Sequence, residues 1–149
     1  MNRRNFLLAA SGTVLAAGPV FAATPRMQVL KSPTCGCCSA WIAHVESAGI
    51  DVDAQDVTQD ALWTAKDNAG ITPELSSCHT GSIEGYFIEG HVPAADIQRL
   101  LAERPDALGL TVPGMPIGSP GMEMGDQRDA FDTLLILRGG ETLVFERHA

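Results

Sequence analysis

Three of the four cysteines in this 149-residue chain fall within four positions, Cys35-Gly36-Cys37-Cys38, and the fourth, Cys78, follows in Ser77-Cys78-His79-Thr80. The crowded run is preceded by a short apolar stretch, Met27–Leu30, and followed by a pattern that places Trp41, Ile42 and Val45 on one helical face. Strand, thiol-bearing loop and helix is the local layout of a thioredoxin-like redox or metal site. Thiols at a helix N-terminus feel its partial positive charge and unpaired N–H groups, so their pKa is expected to fall. Thiolates of that kind exchange disulfides or bind soft metals.

The first twenty-two residues carry a different message. Arg3 and Arg4 open a mostly apolar run, Phe6–Ala17, which ends in Gly18-Pro19 and the small-residue exit at Ala22 and Ala23. This is the pattern of an export signal peptide (1–22), cleaved near Ala22/Ala23. Gly12, Gly18 and Pro19 interrupt it, and a membrane span needs about 20 continuous apolar residues. Arg3-Arg4-Asn5-Phe6-Leu7 also resembles the twin-arginine signal. Export implies a periplasmic location, outside the reducing cytoplasm, for residues 23–149. The net charge is −8. Loss of the leader, which holds two arginines and no acidic residue, makes it more negative still. Such a surface, with no basic stripe, excludes nucleic acid and stable association with anionic membranes.

Within 23–149, strand signals are expected at Met27–Leu30 and Ile50–Val57, and helices at Cys37–Ala48, Thr58–Ala69 and Ala94–Arg104. Thr58 is placed to cap the second helix and Pro93 to open the third. Thr80–Ile83 and Tyr86–Glu89 flank the turn Glu84-Gly85, and Thr133–Leu137 and Thr142–Phe145 flank Arg138-Gly139-Gly140, giving two hairpins. Leu108–Gly125 has no periodicity and is dense in Gly, Pro and Met, which predicts a long functional loop. The expected class is α/β and thioredoxin-like: a central mixed sheet with flanking helices, a Gly/Pro/Met-rich loop and a C-terminal β-hairpin.

A mature chain of this size buries a core without disulfides, so the cysteines point to chemistry. Cys35 and Cys38 have the spacing of a redox pair, which makes an envelope thiol–disulfide oxidoreductase or isomerase one reading. Cys37 competes with that pair, and a bond between adjacent cysteines is strained. A metal site gives the third thiol a purpose, because thiolates bridge soft ions. Zinc on Cys35, Cys38, Cys78 and His79 would leave Cys37 idle, and Cys-x-Cys-Cys matches no iron–sulfur spacing. Cu(I) meets the fewest objections. Two structural disulfides form the remaining, sterically awkward option. His79 and His91 are secondary ligand candidates, as are the thioethers Met115, Met122 and Met124. His44 and His148 read as surface residues, Trp41 as core and Trp63 as partly exposed. Glu89 and Glu123 have no spacing that argues for a catalytic carboxylate pair.

Five blocks in order resemble the CopG-type copper-resistance proteins. They are Cys35-Gly36-Cys37-Cys38, Ser77-Cys78-His79-Thr80, Gly85-Tyr86, Glu89-Gly90-His91-Val92-Pro93, and Val112-Pro113-Gly114-Met115-Pro116 continuing to Gly121-Met122-Glu123. The resemblance spans nearly all of the mature chain. It implies a thioredoxin-like fold and an exported protein handling copper, with Cys35, Cys37, Cys38 and Cys78 holding more than one Cu(I) ion in a thiolate cluster. Copper redox conversion, other periplasmic copper-handling proteins and an electron donor enter as implications of the same resemblance. It assigns no catalytic residue.

Overall fold

The computed structural model describes residues 24–149, so the export segment (1–22) lies outside the described residues. Seven strands form one mixed sheet in the order β2-β1-β3-β4-β5-β6-β7. The strands are β1 (Arg26–Lys31), β2 (Asp51–Asp56), β3 (His79–Ile83), β4 (Tyr86–Gly90), β5 (Ala107–Val112), β6 (Phe131–Leu137) and β7 (Thr142–His148). Among the described residues three α-helices accompany them: α1 (Gly36–Ser47), α2 (Gln59–Asn68) and α3 (Ala94–Glu103). None of the described helices is long and apolar enough to cross a membrane.

β1 runs parallel to β2 and antiparallel to β3. β3 and β4 form the first hairpin, turning through Glu84 and Gly85, both at positive φ. β4 runs parallel to β5, and β6 and β7 close the sheet as the expected C-terminal hairpin. The α/β class, the mixed sheet, the flanking helices and the edge position of β2 all match the reading from sequence.

Alternation along the strands decides what each face meets. Met27 and Val29 of β1, Ile88 of β4 and Leu110 of β5 pack with Trp41 and Val45 of α1 and Ile97 and Leu100 of α3 in one buried core. Burying each such side chain contributes about 1.5–3 kcal/mol. Glu89, one residue on from Ile88, faces the other way, toward Lys66 of α2. Helix ends follow their local signals. The Thr58 side chain accepts the Ala61 amide at the start of α2, and Gly49 follows α1 at φ +88°.

One element differs from expectation. The irregular stretch was expected from Leu108, but Ala107–Val112 is β5, an interior strand. Gly109 breaks the apolar run, and buried strands carry little periodicity. A Cβ on Gly109 would lie 1.8 Å from the Phe87 carbonyl oxygen, so glycine is there to let the β4 backbone approach. The register between β5 and β6 shifts at this same place. The loop proper therefore begins after Val112.

Candidate metal centre

Cys35 is the N-cap of α1, and Cys37 and Cys38 occupy its first turn. Cys78 arrives from a separate direction, on the short connection between the single 3-10 turn Pro73–Leu75 and β3. Antiparallel pairing of β1 with β3 sets Lys31 opposite His79, which brings that connection beside the start of α1. The Cys78 Sγ lies 3.4 Å from Cys38 Sγ and 3.8 Å from Cys37 Sγ, and Cys37 Sγ lies 3.5 Å from Cys35 Sγ. All four sulfurs fall within 4.8 Å of one another. Cys35 and Cys38 are joined as a disulfide, while Cys37 and Cys78 are free thiols.

A second donor group shares Cys78. Its Sγ is 3.1 Å from His91 Nε2 and 3.4 Å from His79 Nδ1, and the three donor atoms form a compact set. His91 Nδ1 is 2.8 Å from the Pro120 carbonyl oxygen. A carbonyl only accepts, so Nδ1 carries the hydrogen and Nε2 turns a lone pair toward the thiol. His79 is fully buried and its ring packs at a tilt against Trp41, with ring centroids 4.2 Å apart and the planes 38° from parallel. Its Nε2 has no hydrogen-bond partner, one of two such buried side-chain atoms among the described residues. It is Nδ1, the other ring nitrogen, that faces the Cys78 sulfur.

Burial and neighbouring charge favour the neutral forms of these donors. Burial, then the neighbouring His91 and Lys66, push the His79 pKa down to about 3. Burial likewise lowers His91. Burial, then the Cys37 charge, push the Cys78 thiol up to about 12. The fall in thiol pKa expected at the helix N-terminus therefore does not extend to Cys78, which lies off α1 and is half-buried. A soft cation reverses that preference, because metal binding displaces the thiol proton.

The Gly/Pro/Met loop does fold over the site, although not through its sulfurs. Residues 116–123 form a tight knot, with Ser119 Oγ donating to the Pro116 carbonyl and the Met122 amide to the Ser119 carbonyl. Gly121 sits at φ +86°, and a Cβ there would stand 2.7 Å from both the Cys37 oxygen and the Trp41 nitrogen. Glycine lets the knot press on α1 and present the Pro120 carbonyl to His91. Met115 and Met124 are exposed and Met122 is half-buried.

Other expectations divide. Trp41 is core, donating its indole N–H to the Val92 carbonyl, and Trp63 is exposed. His44 and His148 are not bare surface residues: His44 accepts the Ala94 amide at the start of α3, and His148 contacts Asp96 and Thr133. Glu89 and Glu123 do not face each other as a pair. Glu89 bonds Lys66, while Glu123 accepts the Gly121 amide. Lys66 escaped the sequence reading, yet a signal was available: it lies four residues after Leu62 and three before Ala69, inside the apolar stripe of α2.

Comparison with known proteins agrees with this geometry. Residues 75–122 match the family described as "Protein of unknown function, DUF411". No curated protein matches the chain. A solved structure of the copper resistance protein CopG, form 2, is 44% identical with a TM-score of 0.79, covering 85% of this chain and 99% of that one. Form 1 of CopG is also 44% identical, with a TM-score of 0.77 and coverage of 83% and 96%. With that identity over nearly the whole of the CopG chain, and a four-cysteine cluster at the site, this chain belongs to the CopG copper-resistance family.

Proposed function

We propose that the chain handles copper in the bacterial periplasm, holding more than one Cu(I) ion in a multinuclear thiolate cluster built from Cys35, Cys37, Cys38 and Cys78. The observation that carries this is the meeting of four sulfurs from two chain segments within 4.8 Å of one another. Soft thiolates select Cu(I), and a shared sulfur bridges ions. His79 and His91 extend the donor set on the Cys78 side, with neutral imidazoles suited to the same metal. Met115 and Met122 take a lesser part, as contacts for copper entering past the loop. Copper resistance follows from sequestering the ion, and a change in its oxidation state at the thiolates is the redox extension of the same role.

Full use of the four sulfurs requires the Cys35–Cys38 bond to be reduced. Two electrons and two protons convert it to two thiols, and a small dithiol serves as the donor. The bond itself favours a second reading, in which Cys35 and Cys38 are a thiol–disulfide exchange pair. What weighs against it is the pair of free thiols, Cys37 and Cys78, gathered beside the bond, which an exchange pair working with an outside thiol does not need.

Copper-to-protein ratios of the reduced protein separate the two readings. The cluster reading expects more than one copper per chain, and the loss of that stoichiometry in Cys37→Ser. The exchange reading expects copper-free protein and a Cys37→Ser variant that still reduces a model disulfide.

A further inference from the structure

Three of the sulfurs share one helix, whereas Cys78 must be placed independently. The group that places it lies on the opposite side of the connection from the thiols. Glu89 is fully buried on β4, and its carboxylate is saturated by three different partners. Oε1 accepts the Ser77 amide at 2.6 Å and the Lys66 ammonium, and Oε2 accepts the Thr80 hydroxyl at 2.7 Å. Lys66, equally buried, also donates to Thr80 Oγ1 at 2.9 Å. Ser77 and Thr80 bracket Cys78 and His79, so one carboxylate pins the chain on both sides of the donor pair.

Neighbouring contacts tighten the same point. A Cβ on Gly90 would lie 2.5 Å from Ser77 Cβ, so Gly90 exists to admit Ser77. The Ser77 hydroxyl donates to the Gly114 carbonyl, and the Gly114 amide donates to the Ser76 carbonyl. A buried ion pair is poor value as a stabiliser, since desolvating both charges offsets their attraction. What this pair supplies is a strong, directional acceptor for one backbone amide.

We infer that Glu89, held by Lys66, is the positioning residue that fixes Cys78 against the helix thiols. The inference rests on the reading of Cys78 as a copper ligand only for its effect on copper; the placement of the sulfur is testable without metal. Single substitutions would strand a buried charge, so the test uses two charge-neutral double variants. Lys66→Met with Glu89→Gln keeps a carbonyl oxygen for the Ser77 amide. Lys66→Met with Glu89→Leu removes it.

In a metal-free Cys35→Ser background, mild oxidation with diamide should cross-link Cys78 to Cys37 or Cys38. The Leu variant is expected to do so about tenfold more slowly than the Gln variant, and in the four-cysteine protein to bind Cu(I) about 10- to 100-fold more weakly, the range typical of groups that orient metal ligands. Rescue by Gln identifies the acceptor, not the lost charge, as the working feature. Equal cross-linking rates in the two variants overturn the inference, whatever copper does. Slower cross-linking with unchanged copper affinity upholds the positioning role and instead removes Cys78 from the copper site.

Discussion

Two buried polar clusters, each with a histidine, sit in different parts of this molecule and are completed to different degrees. Where α3 meets the C-terminal hairpin, Asp96 accepts from Thr133 at 2.6 Å and lies 3.0 Å from His148, whose ring stacks on Phe131. There the carboxylate, the hydroxyl and the imidazole satisfy one another, and the cluster ties helix to hairpin. At the start of α1, four sulfurs gather within 4.8 Å of one another, and His91 Nε2 and His79 Nδ1 stand 3.1 and 3.4 Å from the Cys78 sulfur. The protein could have closed the second cluster as it closed the first. Polar groups that satisfy one another are structural glue, whereas sulfur and imidazole donors converging on one point are an arrangement suited to a soft cation.

The sharpest way to break this contrast is to remove the sulfur both donor groups share. Cys78→Ser is expected to weaken Cu(I) binding, in competition with a chromophoric chelator, by more than the roughly 10- to 100-fold that outer partners of a metal cost. A variant with undiminished affinity would erase the distinction between the clusters. Gly121→Ala comes next, because its added carbon must displace backbone of α1 at a positive-φ position. We expect a loss of about 1–3 kcal/mol in denaturant unfolding, together with a shift in the His91 ring resonances as the Pro120 carbonyl retreats.

Acid should separate the clusters further. His79 has a folded pKa of about 3 against an ordinary value of 6.5. Between those values the unfolded chain binds a proton that the folded chain refuses, so stability is full above pH 6.5 and declines as pH falls toward 3. The expected slope reaches about 1.4 kcal/mol per pH unit, read from urea midpoints of metal-free protein and flattened in His79→Gln. Smallest of all, Thr133→Val should cost about 0.5–1.5 kcal/mol through its lost hydrogen bonds and leave copper binding untouched. A fall in copper affinity in that variant would show that the hairpin cluster reaches the metal site after all.

Much of this was legible in advance because it is local. The helices at Cys37, Thr58 and Ala94 announce themselves by apolar spacing and caps, and both hairpins by glycine-bearing turns. β5 was hidden because an interior strand with a central glycine has neither alternation nor a clean run. His44 and His148 were misjudged because their partners, Ala94 and Asp96, lie about fifty residues away. The packing of the loop was not legible, because it turns on the Pro120 carbonyl and the bare α-carbon of Gly121, both of which meet residues distant in the chain.

By itself the sequence determined the chemistry available: three thiols at a helix start, a fourth beside a histidine, and the strand and helix periods that carry them. Tertiary structure alone decided that Cys78 reaches the helix thiols, that His91 aims a lone pair at it, and that Lys66 and Glu89 lock the connection between. Periods and caps are set by neighbours along the chain. The meeting of groups forty or more residues apart is set by sheet register and side-chain packing, which no local run of residues contains.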